Sequence, residues 1–377
     1  MHSGDAAMPA AVRYSAIGDD QRRSGALGKV AAMTKNLDKR GESRGRHGAA
    51  AAVRAYAAID LGTNNCRLLV ARPDPANGFR VIDAFSRIVR LGEGLVRDER
   101  LSEAAMRRTI GALRICADKV RRTGVVGMRG VATEACRRAH NCDDFLAQVR
   151  ERTGLDIETI SSGEEVRLIL QGCLPLFDAA LPKAILFDIG GGSTEVVWID
   201  LAGAKPEPID WISMPFGVVT LADRFGGNPM SAEVYRALIA EVDEFLVPFC
   251  RKNGIAEAVA VGAVQMLGTS GTVTTLAGVQ MALPRYDRSV VDGAYLGFDA
   301  ISEISGRLLH MGCADRAAIP CIGAERADLV VAGCAVLEAV CARWPVGQLR
   351  VGDRGIREGI LRELIAAPSG KAGNGAG

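Results

Sequence analysis

Apolar and polar positions alternate in short runs along most of the chain, and the period of the alternation changes from segment to segment. Ala57–Asp60 and Arg67–Ala71 are short apolar runs on either side of a polar turn and read as two strands. Phe79–Ile88 alternates with period two and reads as a third. Ser102 is suited to cap a helix, and after it apolar residues recur at Ala105, Met106, Ile110, Leu113 and Val120. That spacing makes one face of a helix running to about Arg122. Met128–Thr133 predicts a strand, Asp143–Arg152 a helix, Asp156–Ile160 a strand and Gly163–Gly172 a helix.

After Pro175 and Pro182 a similar order begins again. Ala184–Asp188, Glu195–Asp200 and Ile209–Pro215 read as three strands, and Ser231 opens a helix to about Cys250. Ala258–Gly262, with Leu267 beyond it, predicts a further strand and loop, and a helix follows from Thr272. Ala327–Arg343 is a strongly apolar helix, Gln348–Val351 a strand and Ile356–Ala366 a closing helix.

The repetition is visible in the residues. Asp60-Leu-Gly-Thr-Asn-Asn-Cys-Arg-Leu-Leu-Val aligns with Asp188-Ile-Gly-Gly-Gly-Ser-Thr-Glu-Val-Val-Trp. Each is strand, Asp-x-Gly, tight turn, strand. Two such copies about one domain length apart predict a duplicated α/β unit with a cleft between its halves, where ligands commonly bind. The expected division is a basic disordered tail over 1–53, a first domain over 54–182, a second over 183–367 and a flexible end over 368–377.

Composition narrows the function classes. With 377 residues, 48% apolar and 24% charged, the chain is of ordinary globular composition. A net charge of +2 provides no global field for nucleic acid or an anionic membrane. No apolar run reaches the ~18–20 residues a membrane span needs. The first 53 residues carry nine Lys/Arg and five Asp/Glu without the apolar core of a signal peptide. The ten cysteines include no C-x-x-C pair and read as small buried hydrophobes in a reducing, cytoplasmic compartment.

Three loops carry the candidate chemistry. Gly62, Thr63, Asn64 and Asn65 form a donor-rich turn in which Gly62 permits a positive φ. Gly190, Gly191, Gly192 and Ser193 leave no Cβ to keep an anion from the backbone. The third loop, Gly268-Thr-Ser270-Gly271-Thr, enters a helix whose N-terminus favours anions. Asp60 and Asp188 precede the first two loops. A carboxylate beside a phosphate cradle repels the substrate unless a cation intervenes, and Mg²⁺ takes one or two carboxylates together with phosphate oxygens and water. The two aspartates are therefore candidate metal contacts or water-orienting groups, or anchors of their own turns.

Together, YAAIDLGTNNCRLLVAR, IVRLGEGL, VATEACRRAHNCDDFL, ISSGEEVRL, LFDIGGGSTEVVW, MPFGVVTLADRF, LGTSGTVTTLAGV and VGDRGIREGIL resemble the exopolyphosphatase/guanosine pentaphosphate phosphohydrolase family in order and spacing from about Tyr56 to Leu364. The resemblance implies two duplicated ribonuclease-H-like domains of the actin-like ATPase superfamily with an interdomain cleft. It implies removal of a terminal phosphate from polyphosphate or guanosine pentaphosphate (pppGpp), with Mg²⁺ as cofactor. It places the general base at Glu134, which ends a predicted strand and should face the cleft, with Glu164 or Glu165 assisting metal or water. Arg90 resembles a phosphate contact, and Asp353 falls in a motif near the cleft; from the residues alone, a basic group near the Glu134 carboxylate, Arg137 or Arg138, is a candidate to bind phosphate. Asn65 departs from the serine that many members carry at that position. Longer members append C-terminal helical domains, and homodimers are common in the family. The competing readings are an ATP-dependent kinase or ATPase of the same superfamily and a non-catalytic phosphate or nucleotide sensor.

Overall fold

A computed structural model describes residues 54–225 and 230–367. The tail expected over 1–53 and the flexible end expected over 368–377 lie outside the described residues. The first sheet holds β1 (Ala55–Leu61), β2 (Asn65–Asp74), β3 (Gly78–Ile88), β4 (Val125–Ala132) and β5 (Glu158–Thr159). Its order is β3-β2-β1-β4-β5. The second sheet holds β6 (Lys183–Ile189), β7 (Thr194–Asp200), β8 (Glu207–Met214), β9 (Val264–Thr269), β10 (Tyr295–Gly297) and β11 (Gln348–Gly352). Read from the other edge, its order is β8-β7-β6-β9-β11-β10. The two orders coincide, with β10 added to the second. In both, three antiparallel strands are followed by parallel pairs. The chain is thus two ribonuclease-H-like halves.

Strand alternation explains how the halves meet. In β1, Ala57, Ile59 and Leu61 join a core under the helices Glu103–Thr123 and Cys142–Thr153. Ala58 points the other way, into a cluster shared with the second sheet. In β6, Ile185, Phe187 and Ile189 face the second lobe's core, while Ala184 and Leu186 enter that shared cluster. Period two then puts Asp60 in line with Ala58, and Asp188 in line with Leu186. Both aspartates therefore lie on the faces that the two sheets turn toward each other.

Between the sheets lie the helices Ser162–Cys173 and Ile356–Ala366, whose Leu168, Ile169, Ile360 and Leu361 fill the shared cluster. Their backbones touch. A Cβ on Gly359 would lie 2.1 Å from the Leu168 carbonyl oxygen, and one on Gly172 would lie 2.1 Å from that of Gly355. No helix among the described residues is long and apolar enough to cross a membrane.

Several sequence expectations shift. Ala258–Gly262 is not a strand: Ile255–Ala260 is a short helix, and β9 begins at Val264. A short apolar run between Gly254 and Gly262 has no decisive period, and pairing with β6 selects the next run instead. The strand expected over Asp156–Ile160 shrinks to the two residues of β5, and the helix Phe298–His310 was not anticipated. The capping serines are where they were expected. Ser102 accepts from the Ala105 amide, and Ser231 from that of Val234.

Candidate active site

The two Asp-x-Gly hairpins are alike down to their hydrogen bonds. Gly62 N–H donates to the Asn65 carbonyl at 2.9 Å, and Gly190 N–H donates to that of Ser193 at 2.9 Å. Neither these glycines nor Gly191 and Gly192 lie in the left-handed region, so the conformational role expected of Gly62 is not the one it plays. At Gly191 and Gly192 the need is close approach. A Cβ on Gly191 would meet the Asn64 amide nitrogen at 2.9 Å, and one on Gly192 would meet Thr63 Oγ1 at 2.6 Å and Glu134 Cγ at 2.9 Å. The loops of the two lobes touch across the cleft. The second loop is braced from behind: Val218 N–H donates to the Gly190 carbonyl and Val219 N–H to that of Gly191.

A cavity of about 110 Å³ lies between the loops, lined by Asp60, Gly62–Asn65, Glu134, Glu165, Asp188, Gly190–Ser193, Ser270 and Gly271, with Arg67 and Arg326. Ser270 sits at φ 130°, a region that costs a non-glycine residue energy, and its side chain caps the helix Gly271–Gln280 by accepting from the Thr272 and Val273 amides. A second chamber of about 390 Å³ shares Asp60, Arg67, Asp188 and Arg326 with the first and adds Arg288, Asp353 and Arg357. Burial holds the Arg326 and Arg357 guanidiniums below their ordinary pKa, with Arg67 adding repulsion. Cations crowded in this way favour an anionic guest.

Four of the residues expected in the site are placed elsewhere. Glu164 faces outward, bound by Arg167 and Arg129, and the Arg167 and Arg129 guanidiniums hold its carboxyl down at about 2. Gly268 is a packing residue, since a Cβ there would meet the Phe187 ring at 2.6 Å. Arg90 is turned to Asp328. Arg137 does not line the cavity. Its Nε and Nη2 donate to Glu134 Oε2 at 3.1 and 2.9 Å, and its Nη1 donates to Glu165 Oε2 at 2.7 Å. It bridges the two carboxylates at the edge of the cavity.

Burial pushes the carboxyls of the site upward. Desolvation raises Asp60 and carries Asp188 to about 6, with Arg67 opposing both. Glu165 is raised well above the usual carboxylate range by burial and by Glu195. Glu195, raised to about 7 by burial, accepts from Ser193 Oγ at 2.7 Å and Ser213 Oγ at 2.8 Å. Arg67 and Glu195 were not singled out from the sequence, yet the signal was there. Each stands opposite its aspartate in the hairpin register, Asp60 with Arg67 and Asp188 with Glu195.

Thr63 Oγ1 and Asn64 Oδ1 are buried without a hydrogen-bond partner among the described residues. Buried polar atoms of this kind are satisfied by a ligand or water. Two carboxylates flanked by an unsatisfied amide oxygen and hydroxyl suit a hard cation that also takes phosphate oxygens. Among the described residues no group of three or more His, Cys, Asp or Glu could hold a metal unaided, so most ligands of such a cation would come from substrate and water.

A model of the Ppx/GppA phosphatase family matches residues 69–367. Among solved structures, an exopolyphosphatase-like protein is 29% identical with a TM-score of 0.75, covering 82% of this chain and 97% of that one. A Ppx/GppA family member from Aquifex aeolicus is 26% identical with a TM-score of 0.67, covering 83% and 97%. An exopolyphosphatase from Cytophaga hutchinsonii, at 24% identity and a TM-score of 0.73 over 83% and 98%, shares the fold.

Proposed function

Because the chain belongs to the Ppx/GppA phosphatase family, we propose that it removes the terminal phosphate from inorganic polyphosphate or pppGpp by attack of water. The observation that carries this reading is the convergence, on one cavity, of two phosphate loops, two aspartates and two glutamates from both lobes. Backbone amides of the loops and the helix start at Gly271 would hold phosphate oxygens. The arginine-lined chamber beyond Asp60 and Asp188 suits the rest of a polyanion.

Asp60 and Asp188 would hold Mg²⁺, which supplies charge neutralisation and orientation of phosphate oxygens. Phosphoryl transfer to water needs mostly positioning and charge stabilisation, so a covalent nucleophile is unnecessary. A base must take the water's proton. The family resemblance gives that role to Glu134. The geometry favours Glu165, which is buried, lines the cavity and is aimed by Arg137. Glu134, on the same arginine, would then orient the water. Nine buried free cysteines accord with a reducing cytoplasm.

Phosphate release from long-chain polyphosphate, pppGpp and ATP, each with Mg²⁺ and with chelator, tests the proposal. Release from one of the first two that chelator abolishes is the expected result. Turnover of ATP alone would move the chain to the ATPase reading.

A further inference from the structure

We propose that the Arg90–Asp328 ion pair is a clasp across the mouth of the cleft, holding the lobes shut until it releases to admit a polyanion. Arg90 lies just past β3 in the first lobe, and Asp328 just before the helix Val330–Arg343 in the second. Arg90 Nη1 donates to Asp328 Oδ2 at 2.8 Å and Nη2 to Oδ1 at 3.0 Å. Such a two-pronged pair fixes orientation as well as distance. Nη2 also reaches the Glu325 carbonyl at 3.3 Å. A second tie runs beside the first, from the Gly94 amide to Asp223 Oδ2 at 2.9 Å.

Both ends of the clasp are attached to the cavity. In the first lobe, Val89 and Arg90 donate their amides to the Asn64 carbonyl, and Gly92 donates to that of Thr63. The clasp loop thus hangs on the backbone of the first phosphate loop. Arg108 stiffens it, donating to the Val89 and Arg90 carbonyls and pairing with Glu93. Arg90 is held at φ 46°, which few non-glycine residues adopt. In the second lobe, Arg326 and Leu329 flank Asp328 in sequence and line the cavity. Asp223, Val219 and Leu329 line the recess under the clasp, while Val218 lines the cavity.

The closed arrangement leaves little room. The cavity is about 110 Å³, and Gly192 has no space for a Cβ against Thr63. Parting the loops to admit a longer phosphate chain pulls directly on Arg90 and Asp328. The two side chains are 32% and 25% exposed, so salt weakens the pair in part.

The clasp acts on the cavity to which hydrolysis is assigned, and in that respect rests on that reading; its first test does not. Amide hydrogen exchange of the full chain without ligand, read at the Gly94 amide that donates across the lobes to Asp223, reports lobe separation. Arg90→Ala or Asp328→Asn should each speed exchange there by about threefold to fivefold, the range for a partly exposed pair. The double variant should be no faster than either single one, and the reversed pair R90D/D328R should slow exchange again. Unchanged exchange in both single variants, or fully additive effects, would overturn the clasp. In turnover of tripolyphosphate with Mg²⁺, Asp328→Asn should raise kcat/KM at low salt and flatten its salt dependence. An unaltered salt dependence would also overturn it. Absence of turnover by the unsubstituted chain would sink the hydrolase reading alone, and exchange would still decide the clasp.

Discussion

Arg137 holds Glu134 and Glu165 with one guanidinium, while Glu164, one position before Glu165, faces away. Consecutive residues on a helix point about 100° apart, so the first turn of Ser162–Cys173 can send only one of its two glutamates into the cleft. The sequence left that choice open because it depends on how the helix is rotated between two sheets. Glu165→Gln should lower turnover by about 10²-fold or more, and Glu134→Gln by less, in phosphate-release kinetics. Glu164→Gln should leave turnover within about twofold. The Glu164 pair with Arg129 and Arg167 lowers the carboxyl to about 2. Its stabilisation is present above the ordinary value near 4.5 and is lost as pH falls toward 2. The substitution should therefore cost about 1 kcal/mol at pH 7, read by urea unfolding, and only a small part of that at pH 2.

Asp188 has the opposite sign. Burial raises it from 3.8 to about 6, so its ionisation opposes folding as pH rises through that window. In the absence of divalent cation, Asp188→Asn should raise thermal stability at pH 7.5 by on the order of 2 kcal/mol while abolishing turnover. At pH 4 the two proteins should melt together.

At the scale of elements, glycines meant different things from those the sequence suggested. The run Gly190–Gly192 read as an open cradle for an anion, and its loop does line the cavity. Its lack of side chains also admits the other lobe's Thr63, Asn64 and Glu134. That second reason could not be read from one strand-turn-strand segment, because the colliding atoms come from other segments distant in the sequence. Gly192→Ala should keep the fold and lose most activity, with circular dichroism unchanged and phosphate release reduced. Gly172 and Gly359 gave no sequence signal beyond helical membership. They let two helices pack backbone against backbone, where added methyl groups have nowhere to go. Gly359→Ala should destabilise by about 3 kcal/mol in denaturant unfolding, within the range for overpacking a dense core.

At the scale of the whole molecule, the duplication was legible because each half repeats strand, Asp-x-Gly and strand, and both sheets follow the same order. The boundary between halves was less so. Leu168, Leu186, Leu267 and Ile360 belong to one apolar cluster, and sequence order does not reveal that such distant segments share it. A core held in common predicts a single calorimetric transition with equal calorimetric and van't Hoff enthalpies. Two separated transitions would show that the lobes melt independently.

The placement of Ile356–Ala366 against the first sheet also bears on how the chain is made. While it is being translated, the N-terminal lobe emerges from the ribosome with Ala58, Leu69 and Val131 on a bare apolar face. Helix Ser162–Cys173 joins that cluster early, but Ile356–Ala366, which packs on β1 itself, is synthesised some 200 residues later. The nascent lobe would spend that interval sticky, in need of a chaperone's shelter, and a ribosome stalled before Gly355 would release a fragment marked for proteolysis.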